Sequence, residues 1–160
     1  MLTKEIRIIV YEYSTIYELP EDDQKLVLLA RKAASKAYAP YSNFLVGCSL
    51  QLNNKEIISA NNQENIAFPS GQCAERVAIF YANANYPDIP VQAIAVSAAN
   101  RKGIVEIPVK PCGACRQAIA EVESRYKQPV RIILDGSKKI QVFGGVENLL
   151  PFTFKPELPD

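Results

Sequence analysis

Cys73 and Glu75, two residues apart, and the pair Cys112 and Cys115 within Pro111-Cys112-Gly113-Ala114-Cys115 are the groups of this 160-residue chain best suited to chemistry. Three thiolates suit one tetrahedral zinc whose fourth position is left to water, the arrangement of a catalytic site, whereas four closed protein ligands suit a structural one. The remaining cysteine, Cys48, lies in a strand-like run over 44–52 with no partner at ligand spacing, and reads as a small buried apolar residue. The chain has no histidine, which excludes serine-histidine and cysteine-histidine hydrolases and leaves a metal-held water as the natural nucleophile. Zinc can lower the pKa of bound water to about 7, but three thiolates oppose that fall, so positive charge must offset them.

The elements that must place these groups supply such an offset. Cys73 opens Ala74-Glu75-Arg76-Val77-Ala78-Ile79-Phe80-Tyr81-Ala82, and Pro111 precedes Cys112 in the arrangement that begins a helix. Helix N-termini offer free amide hydrogens and a partial positive charge to thiolates. Arg76 is the candidate donor to a ligand sulfur. In the first helical turn Glu75 can approach the metal-held water and move its protons. Each piece has an ordinary use: a Glu there compensates the helix dipole, and C-x-x-C alone serves redox pairs and zinc ribbons. A ribbon, however, needs a second C-x-x-C where this chain has C-x-E, and a thioredoxin-like site has no need of Cys73. The conjunction points to a catalytic zinc.

Periodicity places a first helix over 22–39, with Leu26, Leu29, Ala30, Ala33 and Ala37 on one face. Strands are expected at 44–52, 56–60, 91–98, 130–134 and 140–142, the Cys112 helix runs to about 125, and a short helix spans 146–150. The N-terminal segment 1–19, with Ile6, Ile8 and Val10 before a Tyr-rich stretch, predicts an additional strand. Arg101-Lys102 and Lys138-Lys139 read as solvated loop tips. Strands alternating with helices argue for an α/β fold in which helices cover a mixed sheet.

The order of the motifs resembles that of the compact, three-cysteine, homotetrameric type of cytidine deaminase. The pieces are Ala39-Pro40-Tyr41-Ser42-Asn43-Phe44 with Val46-Gly47, Asn62-Gln63-Glu64-Asn65, Cys73-Ala74-Glu75-Arg76, Pro111-Cys112-Gly113-Ala114-Cys115-Arg116-Gln117 and Leu149-Leu150-Pro151, spread from about Leu26 to Pro156. Zinc deaminases of nucleobases carry His and Cys, or three Cys, on the metal beside a Glu that does not bind it. The resemblance implies a single domain over 1–160 with a three-layer α-β-α sandwich. It assigns Cys73, Cys112 and Cys115 to zinc, Glu75 to proton shuttling, Asn62 and Glu64 to the ribose hydroxyls, and Phe44, Ala67 and Phe68 to substrate binding. It also places Phe154 where an aromatic reaches a neighbouring subunit's site. Without the resemblance, 61–65 is a polar turn after a strand. Gln63 stands where the family usually has an aliphatic residue, and Phe68 where it often has a Tyr.

The implied reaction is zinc-dependent hydrolytic deamination of cytidine and 2′-deoxycytidine in pyrimidine salvage. One rival is deamination of a cytosine-bearing nucleoside antibiotic on the same fold. Others are a non-catalytic, zinc-stabilised domain and an enzyme editing nucleic acid. A formal charge of +1 gives no electrostatic reason for a polyanionic partner. No apolar run reaches membrane-spanning length, and Lys4, Glu5 and Arg7 interrupt a signal-peptide reading. Thiols reserved for a metal imply a reducing compartment, by default the cytoplasm.

Overall fold

The computed structural model describes residues 1–154. Pro156, the far end of the motif series, lies outside them. The elements are β1 (Tyr11–Tyr13), α1 (Glu21–Ala34), β2 (Leu45–Leu52), β3 (Ile57–Asn61), α2 (Ala74–Asn85), β4 (Val91–Asn100), β5 (Gly103–Ile104), α3 (Gly113–Tyr126), β6 (Arg131–Asp135) and β7 (Ile140–Phe143). Turns of 3-10 helix add Ile16–Glu18, Phe68–Ser70 and Val146–Asn148. The strands form one sheet in the order β1-β7-β6-β4-β2-β3, with β5 paired to β4. It is mixed: β4 and β6 run parallel and the other pairs antiparallel.

Alternation along the central strands explains the layers. Ile94 and Val96 of β4, Cys48, Leu50 and Leu52 of β2, and Ile132 and Leu134 of β6 point to one face and pack with Ala74, Ala78, Ile79 and Ile119 of α2 and α3. The opposite face of β4 offers small residues, among them Ala93 and Ala95, which pack with Leu26, Val27 and Ala30 of α1. Small residues there let α1 lie close. At Gly47 a Cβ would collide with the Ala30 carbonyl oxygen and the backbone of Ala34. The result is the expected α-β-α sandwich.

Polar pairs fasten α1 to the sheet. Arg31 holds Asp135 through two hydrogen bonds of 2.8 and 2.7 Å, and the Ser97 hydroxyl donates to the same carboxylate at 2.7 Å. Arg131 pairs with buried Asp23 in the first turn of α1. Ser49 donates to the Leu26 carbonyl at 2.6 Å.

Three expectations need correction. The first helix ends at Ala34 rather than 39, because the chain must turn past Gly47 to bring Tyr38 beside Asn62, whose carbonyl accepts the Tyr38 N–H at 3.1 Å. The N-terminal strand comprises Tyr11–Tyr13, paired with β7, and not the Ile6 to Val10 run, which is exposed and outside any strand. Apolar alternation alone cannot make a strand without a neighbour to bond. Val146–Asn148 forms a 3-10 turn, shorter than the expected helix. Lys138 is an exposed loop residue, as expected, and pairs with exposed Glu106 at 2.8 Å, while Lys139 beside it pairs with Glu12 at 3.0 Å.

Candidate metal centre and substrate cavity

Cys73 is the N-cap of α2 and Cys112 the N-cap of α3, both with extended backbone and neither capped by a side-chain hydrogen bond. Leaving both caps open directs two sets of free amide hydrogens and two positive helix ends toward the sulfurs. Cys115 follows in the first turn of α3 and is buried, while Cys73 is half-buried and Cys112 exposed. The three Sγ atoms lie within 4.8 Å of one another, with Cys112–Cys115 at 3.4 Å and Cys73–Cys112 at 3.9 Å. Zn–S bonds of about 2.3 Å in a tetrahedral site place sulfurs about 3.8 Å apart, so the donor set fits zinc. Cys48 stands outside this group, fully buried in β2, where burial and then the Glu75 charge push its thiol well up and keep it neutral.

Charge around the cluster is organised by Arg76. Its Nη2 donates to Cys73 Sγ at 3.8 Å, and its buried Nε has no partner among the described residues, leaving a donor near the negative charge that three thiolates bring. The hydrogen bond from the Cys115 thiol, followed by that from Arg76, lowers the Cys73 thiol to about 5. Cys115 is pushed up in turn, by that bond to Cys73 and by burial. Glu75, 5% exposed, has its carboxyl raised chiefly by burial and then by the Cys73 charge. A carboxyl held this way takes up and releases a proton more readily near neutrality than an exposed one.

Beside the cluster opens a cavity of about 700 Å³, within the size range of small-molecule sites. Its wall includes Cys73, Glu75, Arg76 and Cys112 together with Phe44, Asn62, Glu64 and Phe68. Asn62 and Glu64 are more than a polar turn. Asn62 accepts the Val46 N–H at 2.8 Å and donates to the Phe44 carbonyl at 3.0 Å. Glu64 accepts the Ser42 hydroxyl at 2.5 Å and the Tyr41 N–H at 2.9 Å. Together they hold the 39–44 loop against the cavity, with Asn43 at φ 55°, a conformation Asn tolerates better than most residues. Phe68 meets Tyr41 edge to face, with centroids 5.9 Å apart.

Ala67 does not line the cavity; its N–H donates to Asn65 at 2.9 Å and shapes the turn. Phe154 lies outside as well, exposed, with its carbonyl accepting from Gln117 at 2.9 Å. Tyr41, Ser42, Gln72 and Lys110, which sequence reasoning did not single out as site residues, also line the cavity. Tyr41 and Ser42 stood inside a recognised motif, but Lys110 carries no pattern beyond preceding Pro111.

The family model for the cytidine and deoxycytidylate deaminase zinc-binding region matches residues 20–128. The cytidine deaminase of Halalkalibacterium halodurans is 42% identical over 101 residues, covering 63% of this chain and 72% of that protein. That of Sporosarcina psychrophila is 43% identical over 100 residues, covering 62% and 69%. Among solved structures, the cytidine deaminase from Burkholderia pseudomallei superposes with a TM-score of 0.69 at 36% identity, over 81% of this chain and 97% of that one. A matched region that takes in all three thiols, Glu75 and the loops around the cavity places this chain in the cytidine and deoxycytidylate deaminase family.

Proposed function

We propose that the chain catalyses the hydrolytic deamination of cytidine and 2′-deoxycytidine to the uridine products and ammonia, in pyrimidine salvage. The carrying observation is the convergence of a three-thiol cluster and buried Glu75 on the wall of a nucleoside-sized cavity. Cys73, Cys112 and Cys115 hold zinc, which when bound supplies a Lewis acid that lowers the pKa of water. Glu75 takes a proton from the attacking water, gives it to the pyrimidine ring nitrogen, and assists departure of the amine from C4. Arg76 stabilises the thiolate of Cys73. Asn62 and Glu64 receive the ribose hydroxyls, and Phe44 and Phe68 pack the base and sugar in an apolar wall.

Exposed Phe68, Phe80, Tyr81, Phe152 and Phe154 support assembly into a homotetramer in which Phe154 reaches a neighbour's cavity. No helix among the described residues is long and apolar enough to cross a membrane, and a free-thiol metal site suits the cytoplasm.

The test is loss of cytidine ultraviolet absorbance with zinc-loaded protein, beside Glu75→Gln. The wild type is expected to convert cytidine and deoxycytidine, and the variant to keep zinc while losing about 10²-fold or more in kcat. An active Glu75→Gln would remove Glu75 from proton transfer. Turnover of a cytosine-bearing antibiotic but not of cytidine would shift the substrate.

A further inference from the structure

Arg116 and Gln117 follow the ligand Cys115 but touch neither the sulfur cluster nor the cavity by any contact described above, and their bonds run elsewhere. The main-chain N–H of Arg116 donates to the Cys112 carbonyl at 2.9 Å, and its Nε donates to the Pro111 carbonyl at 2.8 Å. One residue therefore holds both carbonyls flanking Cys112, the exposed member of the three thiols. Pro111 is buried, and its carbonyl belongs to the planar peptide that joins it to Cys112, so holding that oxygen fixes the peptide on the N-terminal side of the thiol.

The same guanidinium extends beyond the loop. Arg116 Nη1 donates to the Leu149 carbonyl at 2.6 Å, just after the Val146–Asn148 turn. Two helical turns further along α3, Glu123 Oε1 accepts the Val146 N–H at 2.9 Å. Val146 and Leu149 are buried in the larger core. The turn is thus strapped along α3 at both ends, and through Arg116 the core bears on the backbone of Cys112.

We propose that Arg116 is a positioning residue for the metal centre: it fixes the backbone on either side of Cys112 and couples retention of zinc to docking of the 146–150 turn. This rests on the reading of Cys112 as a metal ligand. Loss of the side chain frees the Pro111 peptide to rotate and lets the exposed thiol swing away, so zinc leaves faster although all three thiols remain. Lysine, a single point donor, reaches one carbonyl at most and rescues in part.

The experiment measures the rate at which zinc passes from the loaded enzyme to a coloured chelator, alongside the urea midpoint. The set is wild type, Arg116→Met, Arg116→Lys, Glu123→Met and Arg31→Met. The last breaks a comparable arginine pair made by α1, on the opposite face of the sheet from α2 and α3. Expected is release about tenfold or more faster for Arg116→Met, intermediate release for Arg116→Lys and Glu123→Met, and wild-type release for Arg31→Met despite a lowered midpoint. Wild-type release from Arg116→Met overturns the proposal. So does release that follows the urea midpoint across all variants, Arg31→Met included, because that is what a merely structural role gives. Should Arg116→Met not accumulate as folded protein, Arg116→Lys and Glu123→Met carry the same comparison. A wild-type protein that takes up no zinc overturns the metal reading itself, whereas zinc held equally by wild type and variants overturns only the role of Arg116.

Discussion

The three thiols of the cluster occupy different surroundings, and the difference predicts how each will respond to change. Cys115 is buried in α3, Cys73 is half-buried beside Arg76, and Cys112 is exposed at a helix start. Cys112→Ala leaves two sulfurs, too few for a tight site, and is expected to bind less than one zinc per chain by metal analysis and to unfold at lower urea. Cys48→Ala, by contrast, removes a neutral thiol from the sheet and should keep a full equivalent of zinc at a cost of about 1 kcal/mol. A zinc-replete Cys112→Ala protein would remove that residue from the site. At this scale the sequence was informative, since thiol chemistry and the spacing C-x-E with C-x-x-C depend on residue type and local helix geometry. Buried Asp23, Ser97 and Asp135 were not legible, because nothing in the surrounding sequence announces their partners Arg131 and Arg31 across the fold.

Among the elements, the 39–44 loop shows how the cavity wall is held. Ser42 donates to Glu64 at 2.5 Å and accepts the Phe44 N–H at 3.0 Å. The same hydroxyl is the foremost reason that the Glu64 carboxyl lies below its usual range. Ser42→Ala is expected to raise KM for cytidine several-fold, with kcat little changed. A fall in kcat with KM constant would argue against a role in holding the ribose side of the cavity. Gly47 sets the approach of α1 to β2. A Cβ there meets backbone atoms of Ala30 and Ala34, which cannot rotate away as a side chain would. Gly47→Ala should therefore lower stability by about 1–3 kcal/mol in urea unfolding. The central strands were readable from their alternation. The end of α1 was not, because helix propensity continues through Ser35, Lys36 and Ala37 while the turn at that point is imposed by β2 and by the Tyr38–Asn62 bond.

For the whole molecule, assembly is the remaining physical question. Exposed aromatic side chains at the cavity lip and near residue 154 are expected to be covered by further copies. Sedimentation should give a tetramer at micromolar concentration, and specific activity should fall on dilution below its dissociation constant. A monomer with undiminished activity would exclude sites shared between subunits. Motif order and periodicity sufficed for the α/β class and for a three-thiol donor set with Glu75 beside it, because these rest on residue chemistry and on repeats of a few residues along the chain. Which face each helix covers, the parallel pairing of β4 with β6, the unequal burial of the three thiols, and the strap from Arg116 to Leu149 were decided only by tertiary structure. Those features need contacts between residues dozens of positions apart, whose free energy is shared among the partners and written in neither segment alone.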